Sequence, residues 1–344
     1  MNARITLFLC CIFISFLTRA QDQNEKPLEV FQGPRISQAV EPQYPSSNLR
    51  RGEEGWVIIN FMVDEEGKPF EPSVVDSMGA GWFQKRALDA LQESKFVPAK
   101  SSGTPITSSM SLRYTFKIQD YKMARPAFIR KYNIFLKYYN DSDREGMAKL
   151  IKSMDGEQTK TLYEEAYLNL AKSYFSAKYG NPQEEMEHLA RALYFDDRET
   201  YKTFLPEKNM SDLWTRLYML QVKNYRFAEA LDTYDIIVKA TDEKTGKMLA
   251  ASARGIAAIR NNGKSYRIGA KTDDFGSWNV KLFNDEFYLD KVQSRINELK
   301  LRCEKKYLLI KYKADTQYRI SGDSGSCNLE VLGAPDTSFD LVQF

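Results

Sequence analysis

The chain has 344 residues, enough for two or three domains of ordinary size. Hydrophobic residues make up 43%, which excludes an intrinsically disordered chain. Lys plus Arg number 49 against 46 Asp plus Glu, so no broad basic field exists to gather nucleic acid phosphates.

Residues 1–20 read as a targeting segment. Arg4 supplies the positive start, residues 5–17 are almost wholly apolar, and Thr18-Arg19-Ala20 offers a small-x-small cleavage site before Gln21. At 1.5 Å per residue the apolar run reaches ~20 Å, short of the ~30 Å hydrocarbon core. Cleavage is therefore expected, leaving a periplasmic protein that starts at Gln21. The alternative is an inner-membrane anchor with the rest of the chain facing the periplasm. Leu9 precedes Cys10 and a cysteine precedes Cys11, so the small residue that lipoprotein processing wants is missing.

Residues 21–37 are polar and read as a leader. Glu41-Pro42-Gln43-Tyr44-Pro45 is extended, because each proline biases the residue before it away from the helix. Gly52-Glu53-Glu54-Gly55 is a turn, and residues 56–63 form a strand of β-branched and aromatic residues. Asp64-Glu65-Glu66-Gly67 is a hairpin turn, and the next strand centres on Ser73-Val74-Val75-Asp76. Phe83, Ala87, Leu88 and Leu91 have helical spacing over 83–92, and Phe96-Val97-Pro98-Ala99 stops that helix. Gly103-Thr104-Pro105 is a loop. Met110, Leu112, Tyr114, Phe116 and Ile118 then alternate on one face of a half-buried strand. The order predicts one helix laid on a small antiparallel sheet.

From about 127 to 262 glycines are few and helical periodicity persists. Helices are expected over 163–179, 183–195, 213–222 and 227–238. Antiparallel pairs with small residues in the second helix resemble tetratricopeptide repeats in architecture, although the repeat period is not clean. The alternative is an irregular helical bundle. Residues 263–344 return to strands, with candidates at 266–268, 278–282, 307–312, 317–320 and 328–332 and a turn or two of helix over 289–301. Cys303 and Cys327 are the only cysteines beyond the targeting segment. In an oxidising compartment such a pair in one segment reads as a disulfide, contributing roughly 3 kcal/mol to this β-rich module. A redox-active pair is the alternative, but no C-x-x-C spacing supports it. The whole chain is thus an α+β multidomain protein.

Residues 38–119 resemble the TonB C-terminal domain family. The residues that carry the resemblance are Pro42-x-Tyr44-Pro45, Gly52-x-x-Gly55-x-Val57, Phe61-x-Val63-Asp64-x-x-Gly67 and Val74-Val75-Asp76-Ser77. Phe83, Ala87-Leu88, Phe96-x-Pro98-Ala99 and Gly103-x-Pro105 complete the set. The specificity lies in this ordered set and in no one motif. The resemblance implies the strand-strand-helix-strand fold and a role between a proton-driven inner-membrane motor and outer-membrane TonB-dependent receptors. It also implies coupling by β-augmentation, in which an extended receptor segment adds to the domain's last strand. Pro42, Gln43, Tyr44 and Pro45 would then bind the partner together with Met110, Leu112, Arg113, Tyr114 and Phe116. An open edge also allows a homodimer. Two departures from the family's pattern are the short apolar start with almost no spacer, and the long stretch after the domain.

Competing functions rank below this one. The helical repeats point to a periplasmic scaffold that binds envelope proteins without energy transduction. Gly322-Asp323-Ser324-Gly325-Ser326 looks like a protease nucleophile stretch, but a serine nucleophile needs a held histidine base, and the chain's one histidine, His188, falls in a predicted helix. Gly-Asp-Ser-Gly is also ordinary turn chemistry. Zinc wants three or four nitrogen and sulfur ligands, which one histidine and a paired cysteine set do not supply. The expectation is a non-enzyme without metal or cofactor.

Overall fold

The computed structural model describes residues 31–344 apart from 80, 119–121, 158, 196, 198, 207, 209, 261 and 262. The expected targeting segment, with Cys10, Cys11 and the site before Gln21, lies outside the described residues, as does the leader up to residue 30.

The first unit runs β1 (Phe31–Gln32), β2 (Arg35–Gln38), α1 (Ser46–Arg51), β3 (Gly55–Val63), β4 (Pro69–Met78) and α2 (Gly81–Glu93). It continues with β5 (Lys95–Val97), β6 (Ala99–Ser101), β7 (Thr104–Ile106) and β8 (Ser108–Phe116). The main sheet has the order β4-β3-β8, all antiparallel. Alternation along β3 sends Val57, Ile59, Phe61 and Val63 to one face, where they bury Phe83, Ala87 and Leu91 of α2 together with Phe96 and Phe116. Gly67 closes the β3–β4 turn at φ +83°, and a Cβ there would lie 2.1 Å from the Phe96 carbonyl oxygen, so only glycine fits. Two short ladders, β2–β5 and β1–β6–β7, flank the sheet.

Seven helices follow among the described residues: α3 (Pro126–Asn140), α4 (Arg144–Asp155), α5 (Leu162–Tyr179), α6 (Pro182–Ala192), α7 (Met210–Lys223), α8 (Phe227–Ala240) and α9 (Glu243–Ile259). Each packs on the next in sequence. Their starts are written locally. Thr161 and Glu164 form a reciprocal capping box on α5, and Asp143, Asn181 and Asp242 cap α4, α6 and α9 through their side chains. None of the helices among the described residues is long and apolar enough to cross a membrane.

The last part is built of β9 (Tyr266–Lys271), β10 (Ser277–Lys281), β11 (Glu286–Asp290), β12 (Ile296–Cys303), β13 (Lys306–Lys311), β14 (Tyr318–Arg319), β15 (Cys327–Gly333) and β16 (Ser338–Gln343). They make two four-stranded antiparallel sheets, β10-β15-β12-β13 and β14-β11-β16-β9. The sheets share a core that includes Leu299, Leu301, Leu329, Val331, Phe287 and Leu341. Trp278 meets Phe339 edge to face across it at 5.3 Å. Cys303 and Cys327 sit opposite each other on β12 and β15 and are joined by a disulfide.

The expected helix over 289–301 is corrected to the end of β11 and most of β12. Leu289, Val292 and Ile296 mimic helical spacing. Leu299 and Leu301, buried with more exposed Glu298 and Lys300 beside them, have the strand's period of two. The polar leader also ends in strands, because β1 and β2 pair with the segments after α2. A short helix, α1, follows the extended Pro42–Pro45 stretch and ends on Gly52 in the left-handed conformation. The last strand of the first sheet stops at Phe116, leaving Ile118 outside it.

The second face of the β4-β3-β8 sheet is not open. Trp56, on that face, stacks on Tyr194 after α6 at 4.4 Å with the rings 6° from parallel. Beside it Arg191 pairs with Asp76 at 2.8 Å. Further along, β4 crosses the strands of the C-terminal sheet one after another. Phe70 meets Tyr307 on β13 at 5.9 Å, Glu71 meets Lys300 and Arg302 on β12 at 2.8 and 2.7 Å, and Ser73 donates to Glu330 on β15 at 2.8 Å. The two sheets therefore pack at a steep crossing angle.

Glu54, 2% exposed, ties this arrangement together. Its two carboxylate oxygens accept the Ile118 N–H at 2.6 Å and the Leu162 N–H at 2.8 Å, and its own N–H reaches the Lys160 carbonyl at 3.2 Å. Burial raises its pKa above the usual range for glutamate, against the lowering effect of those two N–H donors. Glu54→Gln turns an NH2 toward one of the donors, and should cost about 1–3 kcal/mol of unfolding free energy by urea titration followed by circular dichroism. The double variant Cys303→Ala, Cys327→Ala should lose about 3 kcal/mol in the same titration, and an unchanged midpoint would remove the disulfide from the stability account.

Candidate functional site

An edge strand offers every second N–H and C=O to a further strand. β8 pairs with β3 and with no other strand among the described residues. Its residues from Ser109 to Thr115 are all half-buried. Met110, Leu112, Tyr114 and Phe116 turn toward the core under α2, and burial pushes the Tyr114 phenol up to about 12. The opposite face of β8 is used within the chain. Arg113 lies over the Phe195 ring at 4.5 Å, and the Thr115 and Tyr194 hydroxyls are 2.7 Å apart. Both faces of β8 thus serve the fold, and its main-chain edge is what it presents outward.

Along that edge runs a cleft of about 170 Å³, lined by Leu112–Thr115 on one side and by Ile36, Ala39, Val40, Glu41, Pro42 and Ser94 on the other. The structure therefore brings Pro42 together with Leu112, Arg113 and Tyr114. Tyr44 stands differently. Its ring meets Phe83 and Phe116 edge to face, each at 5.7 Å, and its hydroxyl donates to the Glu53 carbonyl. Tyr44 pins the chain to the sheet, Pro45 opens α1, and Gln43 is exposed. Of the paired Trp82-Phe83, Phe83 is core and Trp82 is 60% exposed. Sequence reasoning missed Ile36, Val40 and Ser94 as parts of this cleft. The alternation of Ile36 with exposed polar neighbours was the available signal, but it spans too few residues to separate a strand from a leader.

Residues 40–118 match the family described as Gram-negative bacterial TonB protein C-terminal. Protein TonB of Vibrio cholerae is 27% identical over 100 residues, which are 29% of this chain and 41% of that protein. Protein tonB2 of Pseudomonas aeruginosa is 34% identical over 77 residues, 22% of this chain and 28% of that protein. The chain thus spans less than half the length of these curated relatives. The solution NMR structure of the Pseudomonas aeruginosa TonB CTD is 24% identical, with 26% of this chain and 92% of that one covered and a TM-score of 0.24. The family match and the two curated relatives support the likeness to the TonB C-terminal family over residues 40–118, the stretch that holds β3, β4, α2 and β8.

The residues considered for hydrolysis are placed apart from this cleft. Ser324 ends a 3-10 turn, Gly322–Ser324, and is 1% exposed, with its hydroxyl unpartnered among the described residues, so burial keeps a substrate carbonyl from it. His188 sits in α6 with its Nδ1 buried and unpartnered. Burial, with Lys172 and Arg191 nearby, lowers its pKa to about 4. The unfolded chain protonates this imidazole near 6.5, so from there down to about pH 4 the unfolded state alone takes up the proton. His188 therefore removes stability as pH falls through that window. His188→Gln should flatten the decline in urea midpoint between pH 7 and pH 5, measured against the unaltered protein.

Proposed function

We propose that this chain is a TonB-like envelope protein that binds extended partner segments by β-augmentation along β8 and supports energy-coupled transport across the outer membrane. The observation that carries the proposal is the edge of β8 that no second strand among the described residues takes, inside the segment that matches the TonB C-terminal family. With both faces of the strand committed to packing, an extended segment hydrogen-bonding to the edge is the mode of binding left to it. The partners would be outer-membrane TonB-dependent receptors or other envelope proteins, with the inner-membrane proton-driven motor as a further one. The protein would face the periplasm and act without a cofactor or a catalytic step of its own. A second copy pairing edge to edge would give a homodimer.

The domain plan proposed with this function has the TonB-like unit at 38–119, tetratricopeptide-like repeats at 127–262 and the disulfide-tied β module at 263–344. Consecutive packing of α3 to α9 supports the middle assignment. The later units bury the sheet face that carries Trp56. They act as a platform that leaves the outer edge of β8 to the cleft beside residues 35–42.

A fluorescein-labelled peptide carrying the coupling segment of an outer-membrane receptor plug should bind the full chain, read by anisotropy, and should slow amide exchange over residues 109–116. Arg113→Pro, which takes a donor from the strand, should weaken binding at least tenfold. Arg113→Ala, which keeps the backbone donor and loses the contact with Phe195, should bind within about threefold of the unaltered chain. Binding without protection of β8 would overturn the proposal.

A further inference from the structure

We propose that residues 35–42 are a strap that competes with the partner strand for the β8 edge, so that docking requires its release. This rests on β8 being the docking edge and adds how access to that edge is governed. The strap forms the far wall of the cleft, where Ile36 and residues 39–42 face Leu112–Thr115. A strand added to β8 would run ~4.8 Å from it, in the cleft whose far wall is the strap. Strap and partner strand therefore meet at the same main-chain edge.

The strap is held at its ends and thin in its middle. On one side β2 pairs with β5 through Arg35↔Val97, Ile36↔Phe96 and Gln38↔Lys95, and the ladder is already broken by a bulge between Ile36 and Gln38. Every residue of β2 is exposed, Ile36 included at 42%, so little apolar surface holds it down. At the other side Tyr44 is fixed by its two ring contacts and its hydroxyl bond. Between them the Val40 N–H donates to Ser94 Oγ at 3.1 Å. Ser94 is a rigid post, 4% exposed at the end of α2, with its hydroxyl donating to the Ala90 carbonyl at 2.8 Å. The Val40–Ser94 bond is the latch. Breaking it, with the short β2–β5 ladder, frees the segment from 35 to 42 without touching the core under α2.

Apparent affinity at the edge then equals intrinsic affinity multiplied by the fraction of molecules with the strap released. Ser94→Ala removes the latch and should raise the affinity of the receptor-plug peptide about fivefold, with faster association. Gln38→Cys with Lys95→Cys joins two paired positions across the ladder. Once oxidised it should bind the peptide at least tenfold more weakly than the Gln38→Ser, Lys95→Ser pair, which has no lock. Equal affinity in the unaltered, unlatched and locked chains would overturn the strap and leave β8 docking intact. No binding by any of them, Ser94→Ala included, would overturn β8 docking and the strap with it.

Discussion

The buried carboxylate of Glu54 is the point on which the arrangement of the chain turns. It stands at the entrance to β3, and its two oxygens accept main-chain donors from just past the end of β8 and from the first turn of α5. A carboxylate at a helix N-terminus meets an unpaired N–H and the positive end of the helix dipole, which offsets part of the cost of burying its charge. Because one side chain reaches both places, the start of α5 is fixed against the root of the sheet. The salt bridge between Arg125 and buried Glu164, 2.6 Å, secures the same corner from the helical side.

With that corner fixed, the second face of the sheet has one place to go. Trp56 lies over Tyr194, Arg191 reaches Asp76, and β4 crosses the C-terminal sheet strand by strand. A two-layer unit of one helix on one sheet leaves an amphipathic sheet face in need of cover. Here the rest of the chain supplies it, which is why Trp56, Asn60 and Met62 of β3 are 2%, 3% and 0% exposed, with Ile58 half-buried between them. What stays available on β8 is its edge.

Local pattern carried a good part of this. The alternation of Val57, Ile59, Phe61 and Val63 and the Phe83, Ala87, Leu91 spacing are imposed by burial on one side, and both are visible without coordinates. The helices α5, α6, α7 and α8 were legible for the same reason. The cross-strand position of Cys303 and Cys327 agrees with the pairing read from their number and setting. The role of Glu54 was not legible, because Gly-Glu-Glu-Gly reads as turn chemistry whether or not a helix start lies above it. Trp56 looked like one more strand aromatic, since its partner Tyr194 comes from a distant part of the chain. β16 closes its sheet through pairing with β9 and β11, and such long-range pairing leaves no local mark beyond a short alternation at Phe339 and Leu341. The cleft beside β8 was half legible: Pro42 and the edge strand were singled out, while Ile36, Val40 and Ser94 act only through their position against them.

The joint between the first sheet and the C-terminal sheet is polar where an apolar one would be simpler. Arg302, 1% exposed, pairs with Glu330 at 2.8 Å and donates to the Glu71 carbonyl, while Glu330 also accepts from Ser73. Such a buried pair gains little over well-packed apolar residues, because taking two charges out of water costs several kcal/mol. It is unforgiving of displacement, however, since a slip of one residue along β4 would take the Glu71 carbonyl from Arg302 and the Ser73 hydroxyl from Glu330, leaving buried hydrogen-bonding sites of the pair unfilled. Apolar faces tolerate sliding and these groups do not. The polar joint therefore fixes the angle of the sheet more than it adds to stability, and it fixes the direction in which the β8 edge points. Against a sheet held this firmly, the exposed and bulged segment around β2 is the part next to the edge with the least to lose by moving.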